Sequence, residues 1–435
     1  MTGKKSLLGW SGFIFLMRLS GAVTVLLTQI LLARWMGAYE LGVYVLAFSW
    51  LIMLSTTVGL GFPMASMRIL GKAQHDGEAG IVRGYIRRGR EINFGIGVLA
   101  SLAGIAVVML KAPQLSASQP GAFILAFLCI PVLATMRMHE RAAQAHGWFV
   151  LAMLPNMLLR PIVFLLLVWG AVLYGVDLDA RQVMLLHVLL IGFMALFHGL
   201  VFSARMRRQI GAPKPDFRDR EWFHVALPLL IVTLFSQYFA DLDIVVVGLI
   251  LPPEQLAQYN AGYRIALVIS FGFLAVNAVL MPRVSRLYAA GDTAAIQSTV
   301  ALATLATVTG AAIAITLLVV FGEKILLLFG EEFVPAYQSM LILATSQLLL
   351  AVIGPVATLL SVTGHQLYCL KVFSWSLLGL IVLSIVLTPL YGMNGAALSV
   401  LLVTLFWALM LRGYVRKYLN VESSILSSWV LLPRK

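Results

Sequence analysis

The sequence predicts an all-α polytopic membrane protein of about twelve transmembrane helices, grouped as two pseudo-symmetric six-helix bundles. Three observations predict it. Of the 435 residues 61% are apolar and only 11% charged, against about a quarter charged in an ordinary soluble domain. Mean hydropathy is +0.95, and a water-soluble fold has nowhere to hide that much apolar surface. Apolar stretches of ~20 residues recur along the whole chain, and their Lys and Arg residues collect on alternate connections. Transmembrane strands fit poorly, because these stretches are continuously apolar and do not alternate.

The spans fall at roughly 10 to 35, 40 to 62, 92 to 110, 120 to 138, 148 to 173, 183 to 204, 223 to 250, 256 to 281, 298 to 321, 336 to 361, 368 to 389 and 393 to 415. Lys4 and Lys5 before the first run resemble a signal-peptide start, but the run continues to Trp35 without a small-residue cleavage site and reads as a retained span. With the N-terminus inside, 24 Lys and Arg lie on the cytoplasmic side and four, Arg34, Lys111, Arg181 and Lys324, outside; three lie within spans. That imbalance places both termini in the cytoplasm and accounts for the net charge of +13 without nucleic acid. The basic stretches near 68–91 and 205–222 suit contact with anionic membrane lipids.

A weak internal repeat pairs Leu41-Gly42-Val43-Tyr44 with Leu256-Ala257-Gln258-Tyr259, and Pro63 and Arg68 with Pro282 and Arg286. With six spans in each copy the repeat is parallel. It implies an N-terminal lobe over 1–209 and a C-terminal lobe over 210–435, joined by a basic linker about 205–222 and separated by a cleft.

Ionisable residues inside spans are the candidate functional groups, since each costs several kcal/mol in hydrocarbon unless it faces a cavity or a partner. Arg160 lies ~20 Å along its helix, near the midplane, beside Pro161, which loosens the backbone; it is the first candidate to hold an anionic headgroup. Arg18 lies ~12 Å into its span and either joins that site or snorkels to the interface. Asp243 and Arg264 fall at similar depth on successive spans and form either a structural ion pair or a gating pair. Asp241 and Asp243 are two residues apart and cannot both face one partner, which leaves one of them to take a proton or a cation.

Cys129 and Cys369 are far apart and suggest neither a disulfide nor a thiolate site. His187 and His198 stand singly, and no cluster has metal-ligand spacing. No phosphate-cradling Gly-rich loop ending in Lys-Ser or Lys-Thr is found. These readings point to a secondary transporter without a cofactor, coupled if at all to H+ or Na+, and not to an enzyme.

The chain resembles the polysaccharide or O-antigen flippases of the multidrug, oligosaccharidyl-lipid and polysaccharide exporter superfamily. The resemblance rests on Leu31-Leu32-Ala33-Arg34 with Gly37 and Leu41-Gly42-Val43-Tyr44, on Asp243-Ile244-Val245-Val246-Val247-Gly248 followed by Tyr259-Asn260-Ala261-Gly262-Tyr263-Arg264, and on Pro282-Arg283-Val284-Ser285-Arg286-Leu287. Phe329-Gly330-Glu331-Glu332-Phe333, Ser361-Val362-Thr363-Gly364 and Pro389-Leu390-Tyr391-Gly392-Met393-Asn394-Gly395-Ala396-Ala397 complete it. Ala257 departs from the Gly usual in the second copy. The resemblance implies a V-shaped two-lobed fold that carries undecaprenyl-pyrophosphate-linked sugars from the cytoplasmic to the periplasmic leaflet, with polysaccharide assembly proteins as partners. Arg160, Arg18 and Arg264 would meet the pyrophosphate, and Asp241 or Asp243 would couple the cycle to an ion. The rival readings are a multidrug-type exporter, which an arginine-lined cleft disfavours, a membrane-embedded polysaccharide polymerase or ligase, which short outer loops disfavour, and a scaffold that recruits glycosyltransferases.

Overall fold

The computed structural model describes residues 2–211 and 213–427, and every regular element among them is helical. The chain divides into two compact units, one of residues Leu16–Val245 and one of Val246–Lys435 together with Met1–Phe15, so that α1 begins in the second unit and runs on into the first.

In the first unit the helices are α1 (Thr2–Thr57), α2 (Phe62–His75), α3 (Ala79–Lys111), α4 (Ser118–Leu128), α5 (Ile130–Ala145), α6 (Phe149–Leu154), α7 (Arg160–Leu173), α8 (Ala180–Ile210) and α9 (Asp219–Val247). A straight helix of 56 residues would run ~84 Å, nearly three times the hydrocarbon thickness. Gly37, at φ 75° and ψ 172°, breaks α1 and turns it into two spans. Past this break Glu40 accepts from the Ser118 hydroxyl at 2.9 Å and from the Ala180 N–H at 2.8 Å, so the second half of α1 starts beside the starts of α4 and α8. At its other end Arg137 of α5 donates to Thr56 Oγ1.

In the second unit α10 (Pro253–Leu267), α11 (Ser270–Ala289), α12 (Thr293–Leu327), α13 (Tyr337–Ile353), α14 (Val356–Val362) and α15 (Gln366–Leu419) follow. α13 packs against α10, α12 and α15 and forms the centre. α15 is again too long for one crossing and is broken at Gly392, φ 58° and ψ −137°. Among the described residues ten helical stretches are long and apolar enough to cross a membrane. Since the two with glycine breaks each cross twice, the ten make about twelve spans, as the hydropathy predicts.

The exposed surface identifies the solvent. On α8 Leu185, Leu189, Phe193, Leu196 and Leu200 recur every three or four residues and are 41–69% exposed, while Met184, His187, Ile191, Met194, His198 and Phe202 face inward. A continuous apolar stripe on the outside of a helix belongs against lipid.

The basic stretch after α8 is packed rather than loose. The Asp216 N–H bonds the Gly80 carbonyl at 3.0 Å, Arg83 donates to the Pro213 carbonyl at 2.6 Å and Arg88 pairs with Asp219 at 2.8 Å. A Cβ at Gly84 would overlap the Asp216 carbonyl, so only glycine lets the strap lie this close to α3.

Several helix boundaries differ from the hydropathy reading, α3 beginning already at Ala79 and α13 ending at Ile353. The fourth span does not stop near residue 138; α5 continues to Ala145. Met138, His139, Ala142 and Ala143 keep one face buried over the extra turns, and that packing sustains the helix where apolar content falls.

Candidate functional site

The site grows from the break between α6 and α7. Pro161 has no N–H to give the Met157 carbonyl four residues back, and its ring crowds that carbonyl. The backbone relieves the conflict with a π-turn over Pro155–Leu159, in which the Arg160 N–H bonds the Pro155 carbonyl five residues back. α1 closes over this turn at Gly21, where a Cβ would overlap the Met157 carbonyl oxygen. Arg160, just after the turn, lies 11 residues into the span that starts at Phe149, which at 1.5 Å per residue is ~16 Å deep, about half of the hydrocarbon thickness.

The facing wall is α5. Arg137, Glu140, Arg141 and Gln144 follow one another at three- and four-residue spacing and therefore share a face. Glu140 accepts a hydrogen bond from Asn156 Nδ2 in the π-turn. Its carboxylate lies in the field of three guanidiniums, Arg137, Arg160 and Arg141. Two of those are tethered by neutral groups. Arg137 donates to Thr56 Oγ1 and, at 3.4 Å, to the Ile52 carbonyl, and lies over the Tyr238 ring at 4.7 Å. That ring is aimed by a local break in α9 at Tyr238 itself, φ −125° and ψ 19°. Arg141 donates to Gln144 at 3.1 Å and Gln237 at 2.8 Å.

Arg160 is the third. It is half-buried and forms no hydrogen bond or salt bridge with another described residue; it feels its neighbours only through their fields, Glu140 foremost, then Arg137, Tyr44 and Tyr238. Asn156 Oδ1 beside it is buried without a hydrogen-bond partner. The cluster thus holds three cations against one carboxylate and leaves two positive charges uncompensated within the membrane. Such an arrangement can hold a doubly charged anion.

The other residues singled out from the sequence are placed as follows. The side chain of Arg18 lies outside the described residues; its helix passes the π-turn three residues later, at Gly21. Asp241 and Asp243 stand in the last turns of α9, Asp243 fully buried and Asp241 half-buried, as two positions ~200° apart on a helix require. Arg264 stands half-buried near the end of α10, in the second unit. Within the first unit Arg160 is therefore joined by Arg137, Glu140, Arg141 and Asn156, which hydropathy did not single out. The signal was present as the polar stripe 137, 140, 141, 144.

The histidines have structural roles. His187 stacks on Phe164 at 4.2 Å and Phe48 at 4.5 Å and its Nδ1 pairs with the Tyr44 hydroxyl at 2.7 Å. His198 Nε2 pairs with the Leu151 carbonyl at 3.1 Å. Both cysteines are buried and free, and no group of three metal-type ligands occurs among the described residues.

The apolar spans among the described residues, in two units with an apolar exterior and a cationic cluster at mid-depth, define a polytopic membrane protein. The chain belongs to the polysaccharide biosynthesis protein family, whose model matches residues 9–288, and a MatE model matches residues 228–390. Among solved structures it is similar to the lipid II flippase MurJ in an inward closed conformation, with 14% identity, 93% of this chain and 87% of that one covered, and a TM-score of 0.74. It is also similar to an inward-facing multidrug resistance MATE family transporter of the MOP superfamily, with 13% identity, coverage of 93% and 98%, and a TM-score of 0.71. A MOP superfamily transporter from Pyrococcus furiosus, described by a reversed polarity of its binding pocket, gives 12% identity, 94% coverage of each chain and a TM-score of 0.63. At these identities the likeness is one of fold. A comparison with curated proteins returned no match.

Proposed function

We propose that the chain is a flippase that moves an undecaprenyl-pyrophosphate-linked oligosaccharide, the precursor of O-antigen or another surface polysaccharide, from the cytoplasmic to the periplasmic leaflet of a bacterial inner membrane by alternating access. The observation that carries the proposal is Arg160, a guanidinium at mid-membrane depth with no hydrogen-bonding partner among the described residues, in a cluster with two positive charges to spare. A pyrophosphate diester carries two negative charges and offers acceptors in the geometry that guanidiniums bind best. Membership of a polysaccharide biosynthesis family supplies the sugar. The 24-to-4 distribution of basic residues orients both termini to the cytoplasm. Arg18 and Arg264 belong to this reading as further cations, Asp241 and Asp243 as groups for coupling to H+ or Na+, and polysaccharide assembly proteins as partners.

The test is leaflet translocation of a fluorescent undecaprenyl-pyrophosphate oligosaccharide in proteoliposomes. Arg160→Ala should reduce the rate ten- to a hundredfold, since charge-assisted bonds to phosphate contribute about 1.5–3 kcal/mol; Arg160→Lys, which keeps the charge but not the fork, should fall between. Both variants should elute and melt as folded protein. The MatE match at residues 228–390 favours a second reading, a multidrug-type exporter. Failure of wild type to move any of several pyrophosphate-linked sugars, with transport of an amphipathic cation instead, would establish that exporter and overturn the flippase. Polymerisation or ligation of the sugar in the same vesicles would establish an enzyme.

A further inference from the structure

Among the described residues Glu140 is the one acidic group in the Arg137–Arg141–Arg160 cluster, and its placement points to more than charge balance. A carboxylate that served only to neutralise a buried arginine would be expected in direct contact with it, because an uncompensated pair of buried charges is costly. Among the described residues Glu140 forms no salt bridge; its carboxylate is held by neutral Asn156 Nδ2 and meets all three guanidiniums only through space. The hydrogen bond that retains it comes from the π-turn that leads into Arg160.

Resting on the flippase reading, we propose that Glu140 is an internal anion that occupies the pyrophosphate's place in the electrostatics of the empty site and is displaced from it when the headgroup binds. Among the described residues, the groups that face it are Arg137 and Arg141 on its own helix and Arg160 and Asn156 from the π-turn segment, and no other described titratable side chain contributes to its field. Without Glu140 three like charges would confront one another across the α5 to α6 hairpin in every turn of the cycle that lacks substrate. With it, the empty site is stable, but the headgroup must compete with a tethered carboxylate. The competition sets affinity low enough for release, since a site that binds its cargo too tightly cannot let it go on the far side. Displacing Glu140 would also break its bond to Asn156, so loading and the conformation of the π-turn are linked. The linkage is reciprocal: whatever loosens Glu140 must tighten the headgroup by the same factor.

The experiment measures binding of a short polyprenyl pyrophosphate to the detergent-solubilised full-length protein, together with translocation of the lipid-linked sugar in vesicles. Glu140→Gln, which keeps the shape and the bond to the π-turn but removes the charge, should bind the pyrophosphate about tenfold tighter, within the usual range for coupled sites, and translocate it more slowly. Asn156→Ala, which frees the carboxylate without removing it, should also bind more tightly, by a smaller factor; it serves as the second variant if Glu140→Gln does not fold. Binding by both folded variants that equals or falls below wild type would overturn the role of Glu140 while leaving the flippase reading intact. Absence of pyrophosphate binding by wild type would overturn both.

Discussion

Arg160 is positioned by its covalent neighbour, since Pro161 removes the N–H that would close the regular helix beneath it and the π-turn that results leaves the Met157 carbonyl facing α1. Gly21 is the complement of that carbonyl. Gly21→Ala should therefore push α1 off the turn or unwind the turn, at a cost of about 1–3 kcal/mol typical of an overpacked contact against backbone. Thermal unfolding in detergent should show a Tm several degrees below wild type, with headgroup binding weakened; an unchanged Tm and affinity would mean that α1 does not close over the site. At this scale the sequence was legible in part. An arginine deep in an apolar run announces itself, because nothing but function or a partner offsets its cost. Glu140 was hidden because it follows Arg137 in a stretch that hydropathy assigns to a loop, and only the buried face Met138, His139, Ala142 and Ala143 carries the helix past it. Asp241 and Asp243 announced themselves in the same way as Arg160, and their difference in burial follows from their spacing.

Among elements, the glycine breaks matter as much as the helices they interrupt. Gly37 and Gly392 each sit in backbone that L side chains rarely adopt, and each converts one helical stretch into two crossings, so the count of spans was readable from apolar length alone. Several of the fragments that carried the family resemblance turn out to be such structural parts: Phe329 and Phe333 pack at 5.6 Å around the turn that leads into α13, and Gln258 bonds the Glu332 carbonyl there at 2.7 Å. The π-turn was not readable, because proline in a membrane helix is common and its local consequence depends on what packs against it. It nevertheless gives a sharp prediction. Removing one residue, Leu158, should restore regular α-helix and rotate everything before it by about 100° relative to α7. Asn156 would then turn away from Glu140 while both helices stay folded. The expected result is loss of translocation by at least about tenfold with little change in helix content by circular dichroism, the magnitude of a misplaced binding group. Retention of wild-type transport in the deletion would show that the turn has no part in the site.

Across the whole molecule, lipid takes the place of water, and so the apolar belts hold each unit in the membrane while polar clasps at the ends of helices fix how each unit closes. In the second unit the segment after α15 is such a clasp. Glu422 accepts from Arg412 at 2.8 and 3.0 Å and from the Ser424 N–H and hydroxyl, and its own N–H bonds Gln297 of α12 at 2.7 Å. Ser423 completes the closure, donating to the Ile353 carbonyl of α13 at 3.0 Å and accepting from Thr304 of α12 at 2.9 Å. Burial alone would raise the Glu422 carboxyl, but the bonds from Arg412 and Ser424 outweigh it and hold the group down at about 2. The sign follows from linkage: with the folded value below the unfolded one, the ionised clasp stabilises fully above about pH 4.5, the ordinary carboxylate value, and its contribution is lost as pH falls from there toward 2. Glu422→Gln should therefore lower Tm at pH 7, and the gap between variant and wild type should narrow steadily as the pH is brought below 4. Hydrogen exchange should locate the loss, with faster exchange over residues 420–427 and the facing turns of α12 in the variant at pH 7. A gap that stayed constant down to pH 3 would assign the effect to packing and not to the charge of Glu422. The clasp was invisible in the sequence for the same reason as the Glu140 cluster: its partners, Gln297, Ile353 and Arg412, come together only when three helices have packed, whereas the spans depend on local apolar length and can be read before anything packs.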